Sequence, residues 1–355
     1  MSPQTLTIQS KLDSVFQKII KKKHIHEAVV MMESSDRTFS WSNCYGALHT
    51  EAPYFIASIT KLYTTATILK LREENHLQLD DAITMYLSKE LLSGLHIYKK
   101  KDYSYDLTIR QLLSHTSGLP DYFQGRRGTQ PSLLKAVIKK DQTYSLNNAL
   151  ADTKMMKPHF QPDKHGKAFY ADINFDLLGA IIESITGQKL SDVFSEYIFQ
   201  PLQLTQTYIF SHTDHHTMPP IYYKNKTLHI PLIMSYMGAS GGIISTVKEN
   251  MIFLRAFFNG SLFPKEYLTE MYTWTKLSNL NMFGLEYGCG IMRFNPSRLM
   301  SPFFPTRAVI GHSGSTGSFA FYCPEKLIYI AGTINQVTKP HIPFPLAMKL
   351  LYCLK

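Results

Sequence analysis

The sequence predicts an α/β protein of the α+β kind, with a sheet domain built from both ends of the chain and a helical domain inserted between them. Two observations predict it. Runs rich in β-branched and aromatic residues, punctuated by turn residues, occupy positions 26–49 and return after 280. Between about 120 and 235, apolar residues recur at helical spacing and are separated by polar, Pro- and Gly-containing loops. The expected division is residues 1–85 with 236–355 for the sheet domain and 86–235 for the helical one.

Each element has a local reason. In residues 1–23, Ile8, Leu12, Val15, Phe16, Ile19 and Ile20 fall on one helical stripe. No uninterrupted apolar core precedes the charges, so this is an amphipathic helix rather than a signal peptide, and the chain as given reads as cytoplasmic. Residues 26–33 and 38–48 flank Ser34-Ser35-Asp36 and predict a hairpin. Residues 58–71 predict a helix with Ile59, Leu62, Ala66, Ile68 and Leu69 on its apolar stripe, and 106–115 another, ended by Gly118 and Pro120. The helix over 173–186 is closed by Gly187; a short one over 191–199 stops at Pro201; a third over 243–258 has Gly260 beyond it. Strands follow at 287–294, 308–311, 318–323 and 327–335, the last two joined through Pro324-Glu325-Lys326, and 341–354 predicts a closing helix.

Composition narrows the function classes. The chain has 355 residues, 44% hydrophobic and 18% charged, enough for a large core and two domains. No apolar run approaches the ~20 residues that cross a bilayer. Cys44, Cys289, Cys323 and Cys353 form no Cys-x-x-Cys pair, which leaves zinc-ribbon and thioredoxin-type sites unsupported and predicts free buried thiols. Neither metal nor cofactor is expected. The net charge is +10, with clusters at Lys21-Lys22-Lys23-His24 and Lys99-Lys100-Lys101. Such runs mark a helix end and a solvated loop, and no nucleic-acid reader motif accompanies them. A positive field that draws in an anionic substrate stays open, as does the oligomeric state.

Three stretches carry chemistry. Ser58-Ile59-Thr60-Lys61 places a hydroxyl and an amine one helical turn apart on one face. Serine is a weak nucleophile until a neighbouring base takes its proton, and the amine can do so; the bland alternative is a capping serine with a solvated lysine. Tyr170 opens the 173–186 helix, where its phenol could act as a base beside an ammonium group, or could be half-buried with Asp172 as N-cap. In Gly311-His312-Ser313-Gly314-Ser315-Thr316-Gly317, His312 could donate a hydrogen bond or carry charge, and the Ser315 amide could face an oxyanion. The alternative there is a hairpin connection with an exposed histidine.

Together, in this order, these elements resemble the serine β-lactamase and penicillin-binding-protein superfamily. The class C β-lactamase branch, with its D,D-peptidases, D-aminopeptidases and family VIII esterases, is most similar. The blocks "FIASITKLYTTATILKL", "LTIRQLLSHTSGLPDYF", "FYADINFDLLGAIIESITG", "GASGGIISTVKENMIFLRAFFNG" and "GHSGSTGSFAFYCPE" carry the likeness over roughly residues 10–335. The resemblance implies an antiparallel sheet flanked by terminal helices, an inserted all-helical domain, and a site in the groove between them. It implies Ser58 as nucleophile, Lys61 as proton acceptor, and Tyr170 as base and then acid. Asp172, His312, Gly314 and Ser315 would bind substrate, with the backbone amides of Ser58 and Ser315 as oxyanion hole.

Two residues depart from the pattern. The family's Tyr-x-Asn reads Tyr170-Ala171-Asp172, and an ionised aspartate only accepts hydrogen bonds. It also favours the charged form of Lys61. His312 stands where class C β-lactamases carry lysine. Both changes, with the missing export signal, point away from efficient β-lactam hydrolysis. They point toward a small ester or amide, with a D,D-carboxypeptidase or D-aminopeptidase acting on a short peptide as second reading. A non-catalytic binding or scaffold protein of the same fold is the reading of another class.

Other matches compete. Gly238-Ala239-Ser240-Gly241-Gly242 fits the Gly-x-Ser-x-Gly elbow of α/β-hydrolases, which needs a buried strand before it. His212-Thr213-Asp214-His215-His216 has zinc-ligand residue types but reads as a polar loop. Tyr122 and Phe123 either wall the groove or pack into the helical segment.

Overall fold

The computed structural model describes residues 3–214, 217–279, 284–296 and 307–354. Its centre is an eight-stranded antiparallel sheet. In chain order the strands are β1 (Ala28–Ser34), β2 (Ser40–Tyr45), β3 (Thr275–Lys276), β4 (Leu285–Tyr287), β5 (Met292–Phe294), β6 (Val309–Ser313), β7 (Ser318–Cys323) and β8 (Ile328–Thr333). They lie in the order β3-β4-β5-β6-β7-β8-β1-β2, so the N-terminal hairpin is added to the last C-terminal strand. Five helices frame the sheet or carry the site: α1 (Pro3–Ile20), α2 (Thr60–Glu73), α3 (Asp172–Thr186), α4 (Val247–Asn259) and α5 (Pro343–Cys353).

Strand alternation sorts the core into two layers. Ala28, Val30 and Met32 of β1, with Phe319, Phe321 and Ile330, face Leu12, Phe16 and Ile19 of α1 and Phe344, Leu346 and Leu350 of α5. Val29, Ala320, Tyr329 and Ala331 face the other way, toward α4 and the larger core that contains α2. The terminal helices therefore cover one face, and the interior of the protein lies on the other.

Several expected elements differ in detail. The α2 segment shows no exposed stripe: Thr60 through Leu69 are all buried. Its threonine hydroxyls are satisfied internally, Thr64 on Ala239 O at 2.6 Å and Thr65 on Lys61 O at 2.7 Å. The 243–258 helix begins with a strand, Ile243–Ser245; Thr246 then caps α4 by accepting from the Glu249 amide. The 287–294 strand is a hairpin turned at Gly288–Ile291. There Gly290 takes φ +74°, and a Cβ would fall 2.3 Å from Thr65 Cγ2 of α2. The 106–115 helix is confined to Ile109–Leu113 by the Thr108–Gln111 capping box. Within 86–235, short strands interrupt the helices. One of them, Tyr208–Ile209, pairs with Ile243–Ser245, which also pairs with Tyr54–Phe55. The cysteines are free, but only Cys289 and Cys323 are buried; Cys44 is exposed and Cys353 half-buried.

Candidate active site

The chain reaches Ser58 through a sharp turn. Strand Tyr54–Phe55 passes into a 3-10 turn, Ala57–Ile59, and then into α2. Ala57 takes φ +48°, a left-handed conformation that costs an L-residue roughly 1–2 kcal/mol. The sheet holds that turn. Ser318 donates to Ile56 O at 2.6 Å, Thr316 to Phe55 O at 3.2 Å, and the Ile56 amide to Ile243 O at 3.0 Å. The turn leaves Ser58 partly exposed while its neighbours are buried.

Lys61, one turn on, is fully buried. A buried ammonium needs partners, and Nζ has three: Asp172 Oδ1 at 2.6 Å, Ser240 O at 2.7 Å and Ser58 Oγ at 3.2 Å. The ring centres of Tyr170 and Phe175 lie 5.1 and 5.5 Å away.

The start of α3 supplies the opposite wall. Asp172 is its first residue, with Ala171 as N-cap and no side-chain cap, so the carboxylate is spent on Lys61 rather than on capping. Tyr170 is buried, with the Ser58 hydroxyl near its phenol. Its phenol is pushed well above its ordinary range, chiefly by burial and then by the charge of Asp172; the Ser58 hydroxyl opposes this. The expected ease of ionisation beside an ammonium is thus absent, because burial, and after it the Asp172 carboxylate, disfavour the phenolate.

Two further carboxyls surround Asp172. Asp121 Oδ1 accepts from the Asp172 amide at 3.3 Å and from the Phe123 amide at 3.2 Å. Asp176, one turn along α3, accepts from the Tyr122 hydroxyl at 2.6 Å. Burial first, and then the charge of Asp172, push both carboxyls up to about 7.

On the sheet side, His312 of β6 is fully buried rather than exposed. Its Nδ1 lies 2.7 Å from Ser313 O, which can only accept, so Nδ1 carries the proton and Nε2 accepts from the Tyr287 hydroxyl at 3.0 Å. Burial, then the charge of Lys61, push the imidazole down to about 3. His312 is therefore neutral, and the charged role expected of it does not fit. Gly314 packs directly against the Ser58 turn. A Cβ there would fall 2.8 Å from both Ala57 Cβ and Ile56 O. Ser315, the next residue, is half-exposed.

Sequence reasoning missed His115, Asp121, Asp176 and Tyr287. His115 and Asp121 lie inside the quoted "SHTSGLPDY" block, whose order gave their neighbourhood but no role. The competing matches part from this site or serve it. Ser240 is buried, follows a helix (Pro231–Tyr236) rather than a strand, and contributes its carbonyl to Lys61. Tyr122 is wholly buried and bonded to Asp176, so it packs inward; Phe123 is half-buried. His212 Nδ1 bonds to Ser235 at 2.9 Å, while His215 and His216 lie outside the described residues. Among the described residues no cluster of ligand-type side chains could hold a metal, and no helix is long and apolar enough to cross a membrane.

A family model described as Beta-lactamase matches residues 12–348. Protein flp of Staphylococcus aureus strain MW2 is 28% identical over 209 residues, 56% of this chain and 38% of that protein, so the match spans well under half of that relative. A putative D-alanyl-D-alanine carboxypeptidase of Escherichia coli O157:H7 is 29% identical over 319 residues, 82% of this chain and 70% of that one. Among solved structures, a D-stereospecific amidohydrolase from Streptomyces sp. superposes with a TM-score of 0.74 at 26% identity, covering 98% of each chain.

Proposed function

We infer function from one premise: the chain belongs to the β-lactamase family, whose model spans it almost end to end. That family and its structural neighbours are serine hydrolases. On this reading the protein hydrolyses a small ester or amide through an acyl-enzyme on Ser58, in a groove between the sheet unit (1–85 with 236–355) and the helical unit (86–235). The observation that carries it is the position of Lys61 Nζ, held by Asp172 and Ser240 O with its third direction aimed at Ser58 Oγ, 3.2 Å away.

The geometry suits a proton transfer without rearrangement. As an amine, Lys61 keeps two hydrogens on Asp172 and Ser240 O and turns its lone pair to the serine proton. As an ammonium it keeps the same three directions and donates to the serine oxygen. Asp172 stabilises the ammonium that the transfer leaves behind. The serine oxygen bonds to the substrate carbonyl carbon, whose oxygen becomes an anion facing the amides of Ser58 and Ser315. Tyr170 is held neutral, so its O–H serves as a relay: it passes a proton to the leaving oxygen or nitrogen, and the Lys61 ammonium, which holds the proton taken from Ser58, restores it. Water then repeats the attack and frees Ser58. His312, neutral and with both nitrogens engaged, shapes the end of β6 and brings no charge to the substrate.

An amide substrate draws support from the amidohydrolase likeness, and a short D-peptide, the second reading, from the carboxypeptidase relative. Wild type and Ser58→Ala, assayed against p-nitrophenyl esters, D-amino-acid amides and nitrocefin, test the reading. Turnover of one class, with loss in Ser58→Ala of labelling by a fluorophosphonate probe, is expected. Undiminished labelling of Ser58→Ala, or its loss only in Ser240→Ala, overturns it. Stoichiometric acylation without turnover supports a binding protein instead.

A further inference from the structure

We propose that His115 is a positioning residue that fixes the phenol of Tyr170 against Ser58. This rests on the acyl-enzyme reading above. His115 closes the helix Ile109–Leu113. The Thr116 amide bonds back to Gln111 O at 3.0 Å and the His115 amide to Leu112 O at 3.2 Å, the paired bonds of a Schellman turn. The left-handed residue of that turn is ordinarily glycine, because a side chain there is strained. Here it is a histidine at φ +55°, fully buried. The turn itself requires only the backbone conformation, so the strain is kept for the imidazole.

The imidazole is committed to the Tyr170 segment. His115 O accepts from the Phe169 amide at 2.9 Å. Nδ1 faces the Ala171 amide at 3.3 Å and Asn174 Nδ2 at 2.9 Å, both donors, so Nδ1 is unprotonated and the proton sits on Nε2. Residues on either side of Tyr170 are thereby tied to one histidine. The ring lies 4.4 Å from the Tyr170 ring and 4.5 Å from that of Tyr287, whose hydroxyl holds His312. His115 thus joins the α3 wall to the sheet wall. Burial and the charge of Lys61 push it well below its ordinary range, so it acts as a neutral acceptor and not as an acid or base. Its Nε2–H finds no hydrogen-bond partner among the described residues, which leaves a buried donor unsatisfied.

His115→Phe keeps the ring contacts and deletes the acceptor; His115→Asn restores an acceptor near the Nδ1 position. With the best ester or amide substrate, His115→Phe should lower kcat roughly a hundredfold, with KM little changed and the limbs of the pH profile unmoved. His115→Asn should recover part of that loss. Asn174→Ala, which leaves the histidine in place and removes one of its two donors, should show a smaller fall in kcat. It also serves if the His115 variants do not fold. A folded His115→Phe with wild-type kcat overturns the proposal. So does a loss carried by KM, a displaced pH limb, or, where the His115 variants fail, an Asn174→Ala enzyme with wild-type kcat. Ser58→Ala run in parallel separates the failures: if it stays active, the acyl-enzyme reading falls; if only His115→Phe stays active, the positioning role falls.

Discussion

At the scale of single residues, the site is a problem of charge in a dry place. One ammonium, Lys61, is buried with three carboxyls, Asp121, Asp172 and Asp176. Asp172 takes the ion pair, and the other two cannot also ionise cheaply, because like charges and lost hydration both oppose it. Asp176 has its carboxyl raised from 3.8 to about 7 by burial first and by Asp172 second. Between those values the native protein keeps a proton there that the unfolded chain releases. Asp176 therefore contributes less stability as pH climbs through that window, and its contribution is level above it. Asparagine has no such proton and can still accept from Tyr122. The unfolding free energy of Asp176→Asn minus that of wild type should rise from about pH 4 to about pH 7 and then flatten. His312 and His115, buried neutral and pushed down, tilt both proteins oppositely and cancel in the difference. Urea melts of the two proteins at about pH 4.5, 6 and 8 measure it; a difference independent of pH would mean Asp176 is ionised throughout.

At the scale of elements, the site exists because the end of an inner sheet strand and a helix start are pressed together with no side chain between. Gly314 of the β6–β7 turn is the contact: a Cβ would fall 2.2 Å from Ser318 Oγ, itself bonded to Ile56 O. Gly314→Ala should push the turn away from Ser58, at a cost of roughly 1–3 kcal/mol in stability. Fluorophosphonate labelling of Ser58 should slow by about a hundredfold while the fold is kept; labelling at the wild-type rate would show that the contact has slack. The same elements show what a sequence reveals. Periodicity and turn residues disclosed the hairpin at 26–49, α3 with Gly187 at its end, and β7 to the residue, because those signals are local. Ile243–Ser245 was hidden: two isoleucines and a serine ahead of a helix read as its first turn, and only pairing with Tyr54–Phe55 and Tyr208–Ile209 makes them a strand. Ser58, Lys61 and the Tyr170 segment were legible as motifs. The neutrality of His312 and the carboxyl cluster were not, since both follow from burial set by residues more than 50 positions apart.

At the scale of the whole molecule, α2, which carries Lys61, and the terminal helices α1 and α5 occupy different layers, although the rings of Tyr170 and Tyr287 cluster with the terminal helices. The sheet offers one face to α1 and α5, and the other to the core that holds α2 and α4. Its strand order puts β1 and β2 beyond β8, so the N-terminal hairpin cannot join the sheet until the last strand has been made. That closure joins residues about 300 apart, Val29 opposite Thr333, and the cost of such loops is recovered only by packing. The covering layer should then carry stability with little influence on turnover. Phe16 of α1 is wholly buried and makes an edge contact with Trp41, whose Nε1 donates to Asp13 of the same helix. Phe16→Ala should lower the unfolding free energy by about 3–5 kcal/mol, read from urea melts. The active fraction, counted by fluorophosphonate labelling, should keep the wild-type kcat, because Ser58, Lys61 and His312 are anchored from the opposite side. A fall in kcat per labelled serine would show instead that α1 sets the tilt of the sheet, and with it the gap between β6 and the Ser58 turn.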